Sequence, residues 1–298
     1  MKHAYGYLDG IAWPVSGAAE FSRSIEQHFV ALGGQVHYGH KVVEILTDGD
    51  RATGVRLDDD TEIRADYVIS DADGRKTINE LLGGRFINDK IRRYCEEPDD
   101  ETHWAVHVFL GVNRDLSQEP SALVMLLDEP VEIAGHTCHS LEMQIYGFDK
   151  TMAPSGKGTI KVELVSSYSY WKSLASDRQR YEEEKQRVAD IVIDTLERRF
   201  PGLRGQVEVV DVPTLLTWER FMGGTHGFAN MPKKHFNFFQ SISGKGLQLT
   251  LPGLKNFYFA GVWATSAGAL FMNALSGRKV IQAICKNKGK RFIAPRRL

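Results

Sequence analysis

The 298 residues carry 37 basic and 38 acidic side chains, a formal net charge of -1, and 42% of them are hydrophobic. That balance describes a globular protein of one large domain or two modest ones, and it removes any global electrostatic case for nucleic acid. The three cysteines, Cys95, Cys138 and Cys285, form no CxxC pair, no apolar run approaches the roughly 20 residues that span a bilayer, and no apolar h-region follows Met1, so the chain reads as cytoplasmic.

In chain order, Trp13-Pro14-Val15-Ser16-Gly17 is a turn into a helix on which Phe21, Ile25, Phe29 and Leu32 form one apolar stripe, and Gly33-Gly34 ends it. Short strands are expected over Gln35–Tyr38, Val42–Leu46, Ala52–Leu57 and Thr61–Ile63. The turns Asp48-Gly49-Asp50 and Asp58-Asp59-Asp60 separate the last three, and the buried-looking run Tyr67-Val68-Ile69-Ser70 follows. The middle of the chain alternates over His103–Val112, Ala122–Leu127, Ser140–Tyr146 and Thr159–Val165, all read as strands. A helix from about Asp177 to Phe200 carries Tyr181, Val188, Ile191, Val192 and Leu196 on one face, Pro201-Gly202 stops it, and Val207–Val212 reads as one more strand. The last third returns to the style of the first. Leu251-Pro252-Gly253 turns into the strand Phe257–Ala260, Gly261 ends that strand, and a helix rich in small residues runs from about Gly268 to Cys285.

Four groups of residues, in this order, carry a family likeness. The first is Trp13-Pro14-Val15-Ser16-Gly17 with its helix and Gly33-Gly34. The second is Val42-x-x-Ile45 with Arg51-Ala52-Thr53-Gly54-Val55 and the run from Ala65 to Asp73. The third is Ala153-Pro154-Ser155-Gly156-Lys157, then Tyr181, Lys185, Pro201-Gly202 and the run from Pro213 to Phe221. The fourth is Leu254-Lys255-Asn256-Phe257-Tyr258-Phe259-Ala260-Gly261 with Ser276-Gly277-Arg278. Together they resemble the phytoene desaturase and carotenoid isomerase family of flavin-dependent, amine-oxidase-like proteins, over nearly the whole chain.

The resemblance implies an α/β (mixed α+β) fold: an incomplete FAD-binding-type α/β domain, residues 1–75 plus 245–298, with an inserted substrate domain of mixed β-sheet and helix, residues 76–244. It implies FAD as cofactor and redox chemistry, desaturation or double-bond isomerisation, on an apolar, isoprenoid-like small molecule. Carried over by position, Gly261, Gly268, Ala269 and Leu270 line the flavin, and the backbone of Val42 meets the adenine ring. Ala72 and Asp73 fall where the family's chain passes near the cofactor. Read as residues alone, the two glycines equally serve strand–helix packing, Val42 equally belongs to a meander core, and an acidic turn accounts for Ala72 and Asp73. Where the family has Pro-Gly-Gly-Gly-Val-Pro-Gly, this chain has Ser266-Ala267-Gly268-Ala269-Leu270-Phe271-Met272.

The family also opens with a strand, a GxGxxG turn and a helix that cradles the pyrophosphate. Neither GxG triplet here, Gly156-Lys157-Gly158 or Gly244-Lys245-Gly246, continues to a third glycine. The expectation is therefore weak or absent FAD binding by this chain alone, with the rest supplied by an N-terminal partner chain, or a homo-oligomer covering the open sheet. The alternative is a non-catalytic fragment or binding module. No catalytic residue is assigned; Glu219 and Arg220 sit in the substrate-side run, where a surface ion pair explains them as well. The aromatic stretch Trp218, Phe221, His226, Phe228, Phe236, Phe238 and Phe239 reads either as a channel lining or as core. His136-Thr137-Cys138-His139 makes a poor metal cage on an alternating strand, so no metal is expected. The basic residues Lys286, Lys288, Lys290, Arg291, Arg296 and Arg297 form a solvated tail or touch an anionic membrane surface.

Overall fold

A computed structural model describes residues 13–96, 102–223, 249–265 and 270–294. The elements are α1 (Gly17–Ala31), β1 (Val42–Asp48), β2 (Arg51–Leu57), β3 (Glu62–Arg64), β4 (Val68–Ser70), α2 (Gly74–Lys76, continuing as a π-helical turn Thr77–Leu81), α3 (Asp89–Glu96), β5 (Thr102–Val112), β6 (Ala122–Ile133), β7 (His136–Ile145), β8 (Gly158–Ser167), α4 (Tyr168–Leu174), α5 (Arg178–Leu196), β9 (Val207–Asp211), α6 (Leu215–Met222), β10 (Phe257–Phe259), α7 (Val262–Thr265) and α8 (Leu270–Asn287). Helices and strands mix as the α/β reading expects.

The chain divides into two compact units, residues 1–38 with 102–214, and residues 39–101 with 215–298. The sequence partition grouped residues 1–38 with the second of these and 76–101 with the first. The chemistry that groups the N-terminal segment with the middle of the chain is local. Asp149 is buried, and its carboxylate accepts the Ser16 N–H at 2.6 Å and both the N–H and hydroxyl of Thr151 at 2.9 and 2.7 Å. The Thr151 contacts, with the Ser16 N–H, hold its pKa below the ordinary carboxylate range. Trp13 also stacks obliquely on Phe148, ring centroids 6.4 Å apart.

In the first unit five antiparallel strands pair in the order β6-β7-β8-β5-β9. Alternation is strict on the central strands: Val106, Val108, Leu110, Leu141, Met143, Ile145, Ile160, Val162 and Leu164 are all buried. The helix α5 packs against β5 and buries Val188, Ala189, Val192, Ile193, Thr195 and Leu196. Its Asp177 cap accepts the Arg180 N–H at 3.2 Å. The helix stops at Leu196, and Phe200 (2% exposed) anchors the turn that follows. The edge strand β6 is irregular, since Leu127, Asp128, Glu129 and Pro130 stand opposite His139 alone between the pairs Leu126–Ser140 and Val131–Cys138. The apolar stripe on α1 is not buried; Ile25, Phe29 and Leu32 are 55%, 49% and 75% exposed.

In the second unit β1-β2-β3 form the expected antiparallel meander, and β4 pairs in parallel with β10. Their common core contains Ile45, Ala52, Val68, Ile78, Leu82, Phe257 and Phe259. Two expectations fail for identifiable reasons. Gln35–Tyr38 forms no strand, because it lies between Gly33 and Gly39, both at positive φ, and has no ladder partner. The helix α4 was not legible in Tyr168-Ser169-Tyr170-Trp171, whose residues favour strands. It forms because Ser167 caps it, accepting the Tyr170 N–H, and because Trp171 is fully buried with its indole N–H donating to Ser166 Oγ at 3.0 Å.

That serine is also buried and donates to the Ala134 carbonyl at 2.7 Å. Ser166→Ala removes the acceptor of the buried indole N–H, so it should lower unfolding free energy by about 1–3 kcal/mol in denaturant titration. Ser155→Ala, on an exposed turn, should stay within about 0.5 kcal/mol of the parent.

Candidate functional site

The candidate site is built where β4 and β10 end side by side. In a parallel pair both carboxyl ends point the same way, and the loops that follow them are where open α/β sheets bind ligands. The pairing is Val68–Phe257, Ile69–Tyr258 and Ser70–Phe259, and the Ala260 N–H continues it by donating to the Ser70 carbonyl at 2.9 Å.

Each loop is held from below. After β4, Asp73 caps α2 by accepting the Lys76 N–H at 2.9 Å, and the buried hydroxyls of Ser70 and Thr77 meet at 3.0 Å. Thr77 also opens the π-helical turn, a distortion that recurs at functional sites. After β10, Gly261 takes φ +70°. Its N–H donates to the buried Ser276 Oγ at 2.7 Å, and that hydroxyl donates to the Asn273 carbonyl at 2.6 Å, which ties the strand end to the first turns of α8.

Two glycines allow these loops to close. A Cβ on Gly261 would stand 1.6 Å from Asp71 Oδ1, and a Cβ on Gly74 would stand 2.4 Å from the buried Trp263 ring. Desolvation against this corner raises the pKa of Asp71 above the ordinary carboxylate value, although the residue as a whole is exposed. At this corner the buried Asn273 Oδ1, one turn into α8, has no hydrogen-bond partner among the described residues.

The sequence-assigned positions fall as follows. Gly261 is at the loop corner. Leu270 is the first residue of α8, whose leading N–H groups lack intrahelical acceptors. Gly268 and Ala269 lie outside the described residues. Val42 opens β1 as the register partner of Leu57 and packs on the core that includes Phe257 and Phe259. The Gly261 N–H is satisfied by Ser276, so that glycine acts here through its conformation and its missing side chain. Sequence reading missed Asp71, Gly74, Trp263 and Asn273 as parts of the site. The double glycine–neighbour fit has no one-dimensional signal, whereas Asp71 lies in the quoted run from Ala65 to Asp73.

Of the other candidates, Trp218, Glu219, Arg220 and Phe221 lie on α6, with the Arg220 guanidinium 4.7 Å above the exposed Phe221 ring. His226, Phe228, Phe236, Phe238 and Phe239 lie outside the described residues. In β7, Cys138 is buried and His139 exposed, and the described residues contain no group of three or more His, Cys, Asp or Glu able to hold a metal. No described helix is long and apolar enough to cross a membrane. Lys288 of the basic tail lies 5.1 Å above the Tyr67 ring.

A parallel strand pair with a glycine corner and a long helix after it has the form of the strand ends at which open α/β sheets bind ligands. Residues 2–284 match the model of the flavin containing amine oxidoreductase family, and the chain belongs to that family. A flavin, FAD, is therefore the family's cofactor. Among curated relatives, the chain is 27% identical over 236 residues to prolycopene isomerase, chloroplastic, of Daucus carota, covering 74% of this chain and 36% of that protein. It is 25% identical over 292 residues to 4,4'-diaponeurosporene oxygenase of Staphylococcus haemolyticus, covering 93% of this chain and 55% of that protein. The chain thus spans between about a third and just over half of these relatives' length. In fold it is similar to an oxidoreductase from Methanosarcina mazei, with a TM-score of 0.58 at 18% identity over 90% of this chain and 55% of that one. It is also similar to a putrescine oxidase, with a TM-score of 0.59 at 14% identity over 92% of this chain and 53% of that one.

Gly261→Ala forces a side chain into the left-handed region and against Asp71, and should cost about 1–3 kcal/mol of stability. Asp71→Gly in the same chain should recover part of the loss, read as a coupling in a double-mutant cycle. Asp71 also predicts a pH effect. Because its folded-state pKa is raised, the folded protein binds the proton more tightly than the unfolded one, and stability falls as pH rises through that window. Asp71→Asn should therefore raise the melting temperature at neutral pH, and the gain should fade below the ordinary carboxylate range.

Proposed function

We propose that this chain is part of an FAD-dependent oxidoreductase of the carotenoid desaturase and isomerase type, acting on an apolar, isoprenoid-like small molecule. The observation that carries the reading is the β4–β10 pair with its glycine corner, in a chain whose family is flavin-containing. The substrate class rests on the names of the relatives, which include prolycopene isomerase and diaponeurosporene oxygenase.

The residues present fit a flavin in two respects. The buried Asn273 Oδ1 is an acceptor in search of a donor, of the kind a ribityl hydroxyl or ring N–H provides. The start of α8 offers N–H groups that have no acceptor within the helix and the positive end of a helix dipole, suited to negative charge. In this reading Leu270, with Gly268 and Ala269, borders the cofactor, Gly261 keeps the corner open, and Val42 meets the adenine. A bound flavin supplies the acceptor for a hydride from an allylic C–H. The protein's part is to bind, to orient and to exclude water.

The same reading makes the chain partner-dependent. The strand β4 has β10 as its one strand neighbour among the described residues, and Ile69 is 46% exposed beside that free edge. Parallel sheets are ordinarily larger and covered on both faces. A further strand, from a chain bearing a GxGxxG turn or from a second copy, would complete it. Contact with an anionic membrane through the basic tail would bring the enzyme to an apolar substrate.

Calorimetric titration tests this directly. The chain alone should bind FAD with a dissociation constant well above micromolar, because each missing charge-assisted hydrogen bond to the pyrophosphate costs about 1.5–3 kcal/mol. Joined to a GxGxxG-containing half from a relative, it should show the visible absorption of bound flavin. Gly268→Val should then abolish that absorption in the joined protein while leaving the melting temperature of the unjoined chain unchanged. Sub-micromolar binding by the chain alone would overturn partner dependence.

A further inference from the structure

The antiparallel sheet of the first unit has two unlike faces. The buried one is apolar on its central strands apart from Ser166 at the end of β8. The other is half-buried and polar, and register places its residues in rows. Glu142, Glu163 and His107 face one another across β7, β8 and β5. In the next row Gln144 and Lys161 are partners, followed on β5 by Phe109, whose ring meets His107 edge-on at 5.9 Å.

These side chains form a connected network. The Tyr146 hydroxyl donates to Gln144 Oε1 at 3.0 Å, Gln144 Nε2 donates to Glu163 Oε1 at 3.4 Å, and Lys161 Nζ donates to the same oxygen at 2.7 Å. The side chains of Lys161 and Glu163 are only 12% and 17% exposed. Glu142 and Glu163 are like charges directly opposite on neighbouring strands, an arrangement that weakens a sheet. A half-buried ion pair beside a second carboxylate costs desolvation that an apolar row would not. Folding alone does not call for it.

We propose that this polar row recognises the hydroxyl group of an otherwise apolar ligand. Two carboxylates in one row disfavour an anionic head group. The ammonium of Lys161 already pairs with Glu163 and disfavours a second cation beside it. A hydroxyl both donates and accepts, so it can give its proton to a glutamate oxygen and receive one of the remaining ammonium protons of Lys161. A plain hydrocarbon laid over the row would desolvate these groups and pair none of them. The assignment rests on the apolar-substrate reading above and narrows it: the substrate, or the product released, carries a hydroxyl at one end.

The experiment is a fluorescence titration of the purified chain with two probes of one skeleton, farnesol and farnesene, with farnesoic acid and farnesylamine as charged controls. The parent should bind farnesol at least about tenfold more tightly than farnesene, a difference of one well-made hydrogen bond to a charged group. Glu163→Gln and Lys161→Met, each nearly isosteric, should bring that ratio close to one by weakening farnesol binding without weakening farnesene binding. Equal affinity for the two probes in the parent, or tighter binding of the acid or amine, overturns the proposal without the variants. An unchanged ratio in both variants overturns it as well. Failure of farnesol and farnesene alike to bind would sink the apolar-substrate reading itself, which separates the two claims.

Discussion

Val68 with Phe257, Ile69 with Tyr258 and Ser70 with Phe259 form the short parallel ladder on which the second unit depends. A parallel ladder cannot be closed by a hairpin, and here the crossover contains most of the chain, including the whole five-stranded sheet. Closing so long a loop costs entropy before any contact repays it. The repayment is the core of Ile45, Val68, Ile78, Leu82, Phe257 and Phe259, in which the two phenylalanine rings meet at 4.9 Å edge to face. The same ladder places Asp71 against Gly261 and aligns both loops. Stability and the candidate site share one set of pairs.

Hydrogen-bond accounting explains how that site is divided between scaffold and function. The Ser276 hydroxyl consumes the Gly261 N–H, and the Asp73 carboxylate consumes the Lys76 N–H. These groups set geometry and are not available to a ligand. What remains is the Asn273 acceptor and the leading N–H groups of α8. The opposite division holds in the antiparallel sheet, where apolar residues fill one face and the costly polar contacts are concentrated on the other.

Much of this was readable in one dimension because the signals were local. The acidic turns around Asp48 and Asp58 marked the meander, Asp177 and Pro201-Gly202 bracketed α5, and alternation marked β5, β7 and β8. The misreadings came from tertiary contacts. Nothing around Ser16 announces that Asp149 will take its N–H, so a partition by sequence style and the division into compact units differ over the N-terminal segment. The exposed stripe on α1 shows that helical periodicity predicts a helix without guaranteeing what buries it. At the site, Gly261 and the run from Ala65 to Asp73 were visible as text, while Asn273 and the fit of Gly74 to Trp263 depend on how α7 and α8 fold back.

The irregular edge strand β6 bears on how this protein behaves in solution. Leu126 is 81% exposed and Val124 43%, so the outer strand offers apolar side chains and an open backbone to any passing chain. Its middle is spoiled for that purpose: Pro130 lacks a donor, Asp128 and Glu129 place charge in the run, and four residues crowd opposite one. An incoming strand could keep register over only half of the length. Replacing Pro130 and Asp128 with straight, β-branched residues would give a continuous ladder, and the foreseeable result is fibrous self-association at protein concentrations the natural chain tolerates.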